Sequence, residues 1–337
     1  MVIAGDVMKK IIYIFSDGEL KRQDNTLKFH CEETNRFLPV EDISDIFVFG
    51  EVNINKKLLE LLSQKEIVMH YFNYYGYYMG TFYPREHLNS GYMILKQAEL
   101  YQDTDKRMEI ARAIIRGALK NIRQVLKYYA NRGKNLETSI QQIQGFERQI
   151  DGCSDTSELM AAEGNARGCY YKSFDTIIDN KDFVFEQRTR RPPKNHLNSL
   201  ISFGNSIMYT LVLSEIYKTH LDPRIGFLHA TNFRRFSLNL DIAEIFKPIL
   251  IDRVIFSLLS KKMVTKKDFE SGMEGIVIKD KAKKLFVEEL DNKLKTTIKH
   301  RDIGREVSYR RLIRLELYKL EKHLMGEKKY EPFIARW

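Results

Sequence analysis

Three groups of residues in the sequence combine types and spacings that suit chemistry. In the first, Glu163 lies among the small residues Ala161, Ala162, Gly164, Ala166 and Gly168, with Arg167 one helical turn later on the same face. An intrahelical ion pair accounts for Glu163 and Arg167 as well as any active site does, and the small residues predict close approach of another backbone. In the second, His229 follows Gly226, Phe227 and Leu228; one imidazole in an apolar setting is ordinarily a hydrogen-bonded core residue. In the third, Asp241 and Glu244 stand at i and i+3, so both carboxylates project from one side of a helix whose other side is apolar. A solvated face is the ordinary account of such a pair. The flanking Leu240, Ile242, Ile245 and Phe246 equally allow a hard-cation site with a third ligand from elsewhere. Carboxylates with one imidazole match magnesium or manganese and leave positions for water or phosphate. A cation held that way polarises a phosphodiester and neutralises charge gathering in an in-line displacement. The separations along the chain carry no meaning until a fold brings the three groups together.

Composition bounds that fold. The chain has 337 residues, 43% of them apolar, with only 18 Gly and 7 Pro, which excludes disordered and collagen-like classes. Single cores stop growing near about 250–300 residues, so about two domains are expected. No apolar run reaches the roughly 18–20 residues of a membrane span, and 11–15 is shorter than a signal-peptide core, so the expectation is a soluble cytoplasmic protein with no membrane contact. Cys31, Cys153 and Cys169 are odd in number and lack C-x-x-C spacing. They argue against a disulfide framework or a zinc site and read as small buried thiols in a reducing compartment. Residues 1–7 precede a second methionine and read as a start-site extension without function.

Charge is unevenly placed. Residues 1–80 carry 9 basic and 12 acidic side chains, a net −3, while 81–337 carry 46 and 33, a net +13. The basic excess of the second part attracts polyanions, which makes nucleic acid the leading partner class beside a merely solvated basic face.

The elements that position these residues change in period along the chain. From 10 to 83 the pattern is strand-like: Ile11, Tyr13 and Phe15 alternate before the turn at 16–18, Asp24-Asn25 forms a second turn, and 46–50 and 67–72 are further β-branched or aromatic runs around one helix at 55–63. The tyrosine-rich stretch 71–83 lacks Lys and Arg before Arg85 and reads as strand packing or a subunit interface. After Pro84 the period becomes helical, with helices predicted over 91–132, 139–150, 157–178, 196–219, 237–259 and 309–326. The chain reads as a small β-rich domain, 1–88, joined to a larger helical and basic one, 89–337.

Together, five stretches resemble the CRISPR-associated Cas-one family, the metal-dependent integrase of spacer acquisition, over nearly the whole chain. They are 12–20; Phe72-Asn73-Tyr74-Tyr75-Gly76; Glu163-Gly164-Asn165-Ala166; Arg191-Pro192-Pro193 leading to Asn198-Ser199-Leu200-Ile201-Ser202-Phe203-Gly204; and the block 229–248. The last two are the specific ones, since they combine a proline pair, an asparagine, a histidine and an acid pair in fixed order. The resemblance implies an α+β homodimer whose subunits carry an N-terminal β-sandwich, used for dimerisation, and a larger all-helical catalytic and DNA-binding domain. It further implies one divalent cation, Mg2+ or Mn2+, that serves to join the 3′-hydroxyl of a captured DNA fragment to a phosphodiester of the repeat array. Carried over by position, the metal ligands are Glu163, His229 and Glu244, and Asp241 is a further catalytic acid beside the metal. One departure is Lys247, which precedes Pro248 where many family members have arginine; it bears on a phosphate contact.

The expected DNA-binding residues are Arg167, Arg190, Arg191, Lys194, Asn195, Asn198 and Arg224, the asparagines by hydrogen bonding to substrate or to metal ligands. The resemblance also implies double-stranded DNA and a small CRISPR-associated protein as partners. Two rivals stay open at this point: a non-catalytic nucleic-acid-binding scaffold, and a structure-specific nuclease acting on branched DNA with the same site.

Overall fold

A computed structural model describes residues 9–32, 34–84, 88, 90–231, 236–272, 275–300 and 303–336. Residues 1–7, Arg85 and part of the 229–248 block lie outside them. The chain divides into two compact units, 1–87 and 88–337.

The first unit is built from two four-stranded sheets and one helix. Strands β1 (Lys10–Ile14), β2 (Gly18–Gln23), β3 (Thr26–His30), β4 (Asn35–Pro39), β5 (Ile43–Val48) and β6 (Val52–Ile54) precede helix α1 (Lys56–Lys65), which is followed by β7 (Val68–Phe72) and β8 (Tyr78–Phe82). One sheet has the order β1-β5-β7-β8, the other β4-β3-β2-β6. The β2–β3 hairpin turns at Asp24, whose φ of 53° lies in the left-handed region that Asp tolerates. Asn55 caps α1, its Oδ1 accepting from Leu58 N at 3.0 Å. Leu20, Leu27, Ile46, Leu58, Leu62 and Met69 form the core between the sheets and α1. Strand β5 shows the period-two logic: Ile46 and Val48 enter this core, while Phe47 joins an aromatic cluster with Tyr13, His70 and Phe72. In the tyrosine-rich stretch, Tyr74 and Tyr75 are exposed and Tyr78 bonds Thr81 at 2.7 Å, within the sheet region.

The second unit is helical. Its helices are α2 (Gly91–Gln102), α3 (Thr104–Ala130), α4 (Glu137–Gln149), α5 (Thr156–Ile178), α6 (His196–Ile216), α7 (Leu238–Phe246), α8 (Arg253–Ser260), α9 (Asp280–Lys295) and α10 (Tyr309–Leu324). Two small antiparallel ribbons, β9 (Phe269–Ser271) with β10 (Ile276–Ile278) and β11 (Thr297–Lys299) with β12 (Glu306–Ser308), add to the expected all-helical design. The mixed class, strands first and helices after, is as expected.

Three boundaries differ from expectation for local reasons. The helix expected over 91–132 is divided at Asp103, which ends α2 and caps α3 by accepting from Lys106 N at 3.0 Å. The helix expected over 237–259 is interrupted at Pro248, whose missing N–H cannot continue the α ladder. The chain widens there into a π turn, Pro248–Asp252, in which Asp252 N donates to Lys247 O at 3.0 Å. Helix α9 was not anticipated, although Phe286, Val287, Leu290 and Leu294 fall at helical spacing and are buried. The three cysteines are free and half-buried, not the buried thiols expected. No helix among the described residues is long and apolar enough to cross a membrane.

Helix α6 runs through the middle of this unit with nearly every residue buried, as its all-round apolar sequence requires. At Gly204 a Cβ would lie 2.5 Å from Ile251 and 2.8 Å from Phe286, so glycine lets α6 approach the π turn and α9 closely. Asn121 of α3 donates to Ile245 O at 2.9 Å and Phe333 O at 3.0 Å, and accepts from Ala335 N at 2.8 Å, which ties the end of α7 and the C-terminal strap to α3. Glu215, buried at the end of α6, accepts from Arg314 Nε at 2.7 Å and Arg310 Nε at 3.2 Å on α10, with Lys218 Nζ at 3.3 Å.

Burial alone would raise the Glu215 pKa, but Lys218, Arg310 and Arg314 outweigh it and hold the carboxyl at about 2. A depressed carboxylate contributes stability that is full above its ordinary pKa near 4.5 and is lost as pH falls towards 2. Glu215→Gln is therefore expected to cost about 3 kcal/mol at pH 7, because two arginines lose their buried counter-charge. The cost should shrink towards pH 2–3; urea unfolding of both proteins at the two pH values measures it, and a pH-independent difference would refute the assignment.

Candidate active site

Helices α5 and α7 bring the two distant acids to one cation. Asp155 caps α5, accepting from Ser157 N at 2.8 Å and Glu158 N at 2.9 Å, which sets the helix that presents Glu163 and Arg167. Arg167 Nε donates to Glu163 Oε1 at 3.0 Å, and its Nη2 donates to Glu244 Oε2 on α7. The intrahelical pair expected from sequence is present, but the same guanidinium also closes on the second acid. Lys247 Nζ donates to Glu244 Oε1 at 2.6 Å and reaches the Tyr209 hydroxyl at 3.3 Å. Arg167, Glu244 and Lys247 are buried, while Glu163 is half-buried at the open edge.

Electrostatics follow from this packing. Burial opposes ionisation of Glu244, yet Lys247, Arg167 and His229 overcome it and hold the carboxyl at about 2. Burial likewise opposes the charged forms of Lys247 and Arg167, and Glu244 raises both. Asp252 is the exception: burial lifts its carboxyl to about 6 against the pull of Arg167 and Lys247.

His229 sits on a loop that four polar side chains fold into shape. Gln97 of α2 donates to Asp222 O at 3.1 Å and Ile225 O at 3.0 Å and accepts from Asp222 N at 2.7 Å. Arg107 Nε of α3 donates to Phe227 O at 2.9 Å, and Ser237 Oγ accepts from Gly226 N at 2.8 Å. Asp241 accepts from the backbone N–H groups of Phe227 at 2.6 Å, Leu228 at 3.0 Å and His229 at 3.0 Å, while its Oδ1 lies 2.8 Å from His229 Nδ1. Asp241 is completely buried, and its two oxygens are spent on the loop and the ring. This contact leaves Nε2 as the ring nitrogen that faces outward chemistry, as carboxylate-oriented metal-binding histidines do. Burial would lower the His229 pKa, but its bond to Asp241, with the charge of Glu244 behind, raises it.

The arrangement fits a divalent cation by its donor set and by its stand-in. Two carboxylates already converge on one positive group, the Arg167 guanidinium, and an imidazole oriented by Asp241 is the nitrogen donor of the set. Among the described residues no three His, Cys, Asp or Glu side chains close into a metal cluster, and the Arg167 guanidinium bonds both Glu163 and Glu244.

Several residues expected to bind DNA have hydrogen-bond partners within the chain. Arg167 is the buried link just described. Asn195 caps α6, its Oδ1 accepting from Asn198 N at 2.8 Å, and buried Asn198 donates to Gln187 O at 2.8 Å and accepts from Arg188 Nη1 at 3.0 Å. Arg224 pairs with Asp222, with Nε to Oδ1 at 2.9 Å. Arg190, Arg191 and Lys194 are exposed. At Gly164 and Gly168 an added Cβ would meet nothing within 4 Å among the described residues, so these two glycines border open space beside Glu163, whereas Ala166 is fully buried.

A basic cleft between α3 and α4 was missed by sequence reasoning. Arg116, Lys120, Arg123 and Arg148 line it with Glu147 and Asp151. Arg123 pairs with Glu147 at 2.8 Å and Arg116 with Asp151, which leaves Lys120 and Arg148 to set its charge. The signal was present as basic residues at i, i+4 and i+7 on α3, masked by the amphipathic pattern around them.

The sequence pattern of the family described as CRISPR associated protein Cas1 matches residues 12–292. The chain belongs to the CRISPR-associated Cas1 family. A Thermodesulfovibrio yellowstonii relative, CRISPR-associated endonuclease Cas1 2, is 60% identical over 98% of this chain and 100% of its own length. The solved structure of a CAS1 protein from Thermotoga maritima superposes with a TM-score of 0.87 at 49% identity, covering 96% of this chain and 99% of that one. Two remoter structures share the fold: a casposase bound to integration product, with a TM-score of 0.86 and 20% identity over 98% of this chain and 96% of that one, and a Cas6-RT-Cas1–Cas2 complex, with 0.84 and 18% over 98% and 37%. Membership of Cas1 thus places the chain among CRISPR-associated endonucleases.

Two glycines test the site. In Gly226→Ala the new Cβ would lie 2.7 Å from Asp241 Oδ2 and from Ser237 backbone, forcing Asp241 off the loop. Urea unfolding should show a loss of about 1–3 kcal/mol, whereas Gly164→Ala, in open helical space, should gain about 0.5–1 kcal/mol. Equal effects would contradict the geometry.

Proposed function

We propose that this chain is a divalent-metal-dependent DNA integrase of spacer acquisition that inserts captured DNA fragments into the repeat array by transesterification. The observation that carries the reading is the convergence of Glu163 and Glu244 on one buried positive group, with Asp241 fixing the ring of His229 beside them. Glu163, His229 and Glu244 would hold Mg2+ or Mn2+. Once bound, the cation supplies Lewis acidity towards a phosphodiester oxygen and stabilises the leaving oxygen.

The chain's own residues perform the remaining tasks. Asp241 keeps His229 in one tautomer, with Nδ1 engaged, and so acts as a positioning residue for the ring. Lys247, one atom group from Glu244, holds that carboxylate ionised and supplies positive charge at the depth where a phosphate would approach. Where the resemblance leads to an expected arginine, Lys247 keeps the charge but not the planar fork, so its phosphate contact would be that of a point charge and not bidentate. The open small-residue edge of α5 beside Glu163 leaves room for duplex DNA. Exposed Arg190, Arg191 and Lys194, with the α3–α4 cleft, supply phosphate-facing charge.

The partner protein and the dimer belong to the same reading. A relative of this fold is seen in a Cas1–Cas2 complex, which supports a small Cas2-like partner. Exposed Tyr74, Tyr75 and Met79 on the first unit support a homodimer formed through the strand-rich domain. The setting is the cytoplasm, where a repeat array is accessible.

His229→Ala and Glu244→Ala should each lower Mn2+-dependent insertion of a short duplex into a repeat-bearing plasmid by more than about 100-fold, with DNA retention in gel shifts nearly unchanged. Unaltered insertion in both variants would remove the metal assignment; preferential cleavage of branched DNA over insertion would favour a repair nuclease. Lys120→Ala with Arg148→Ala should weaken DNA binding and reduce the slope of log K against log salt by roughly 2. An unchanged slope would take the cleft out of the DNA path.

A further inference from the structure

Tyr128, in the last turn of α3, carries two guanidinium groups on one ring. Arg132 lies 4.4 Å and Arg253 4.5 Å from the ring centre. Arg132 follows Tyr128 by one turn, just past the end of α3, whereas Arg253 opens α8 and reaches the ring from a distant part of the chain. The ring is anchored inward. Tyr128 meets Tyr129 edge-on at 5.1 Å, Tyr129 meets Phe256 of α8 at 5.3 Å, and Phe256 meets Phe174 of α5 at 4.5 Å. Arg132 is exposed and Arg253 half-buried, so the pair stands where the protein meets solvent.

An aromatic ring attracts one guanidinium through its quadrupole. Two guanidiniums on the same ring also repel each other, and an anion that touches both relieves that repulsion. Further positive charge stands on the neighbouring helix. Ser257 of α8, one turn after Arg253, donates to Glu289 Oε1 of α9 at 2.7 Å. Lys293, one turn after Glu289, places its ammonium 4.9 Å from the centre of the Tyr309 ring. Burial, helped by the charge of Arg253, pushes the Lys293 ammonium down to about 8, against the opposing pull of Glu289.

We propose that the face where the end of α3 meets α8 is a further nucleic-acid contact, at which Arg132 and Arg253, held on Tyr128, grip the phosphates of a DNA backbone. This rests on the DNA-binding reading given above and adds a contact to it. The chemistry favours phosphate over base. Guanidinium forks take phosphate oxygens in two-point contacts, and a ring occupied by guanidiniums serves to hold those cations and not to stack on bases. Recognition here is therefore of the backbone, whatever its sequence. The face is distinct from the α3–α4 cleft. At about 100° per residue, Arg116, Lys120 and Arg123 share one stripe of α3, and Tyr128 with Arg132 lie roughly a third of a turn around the helix from it. It is also apart from the acid cluster, since Phe174, where the chain of rings reaches α5, stands two turns after Arg167.

The test uses the full chain and a short duplex that carries no repeat sequence. In Arg132→Gln with Arg253→Gln, affinity at about 0.1 M salt should fall about tenfold, and the slope of log K against log salt should decrease by roughly 2. Arg132→Gln alone alters an exposed side chain, so it tests the proposal even if the double variant does not fold. Its slope should decrease by roughly 1, and equally for duplexes of unrelated sequence. A lower thermal midpoint with an unchanged slope would make the ring stack a purely structural device and overturn the proposal. An unchanged slope with weakened binding of poly-glutamate would assign the face to an acidic protein and overturn it too. An unaltered protein that binds no duplex would sink the DNA reading and this inference with it; normal binding with unaltered slopes in both variants would sink this inference alone.

Discussion

Two carboxylates held close together in a protein interior must have a positive group between or beside them. Removing an ion from water costs several kcal/mol even after the protein relaxes, and two like charges add repulsion to that cost. Glu244 is buried, and it is flanked on opposite oxygens by Arg167 and Lys247. The contact of α5 with α7 and the burial of Lys247 both serve this one acid, while the π turn follows from the missing N–H of Pro248. Strong ion pairing keeps Glu244 charged where burial alone would neutralise it.

The second constraint is backbone satisfaction. A loop that carries a histidine to the edge of a helical core exposes N–H groups to a dry environment, and each unbonded one is costly. Asp241 answers three of them at once and uses its remaining contact to hold the ring. Gln97 and Arg107 bind carbonyls of the same loop from α2 and α3. The loop is thus fixed from three helices, and His229 has little freedom to leave the neighbourhood of Glu244. The acid pair at 241 and 244 divides its labour: one member shapes the loop, the other meets Arg167 and Lys247.

Much of this architecture was legible in the chain. Period-two patterning in the first 83 residues and period 3.6 afterwards correspond to sheets and helices because each period reports which side of an element faces a core. The type and spacing of Glu163, His229, Asp241 and Glu244 were also visible. What each does was not, since Asp241 and Glu244 look alike in sequence, and only the tertiary neighbours distinguish a carboxylate that meets three N–H groups from one that meets two cations. Pro248 announced a break but not a π turn, which depends on how Asp252 N finds Lys247 O. Helix α9 was readable from its apolar spacing and was overlooked among its lysines.

Basic residues illustrate the limit most clearly. Sequence adjacency to the matched stretches suggested that Arg167, Asn195, Asn198 and Arg224 face DNA; each also has a hydrogen-bond partner within the chain, from buried Arg167 to Arg224, whose side chain is 68% exposed beside Asp222. A guanidinium or amide is as useful for satisfying a buried carboxylate or a helix end as for gripping a phosphate, and the sequence does not separate the two uses. Further basic side chains stand at the surface or line the α3–α4 cleft, among them Lys194 before α6 and Lys120 and Arg148 in the cleft. Net charge therefore points to the class of partner through its long-range field, whereas the contacts that place the partner are decided by which cations the interior has not already claimed.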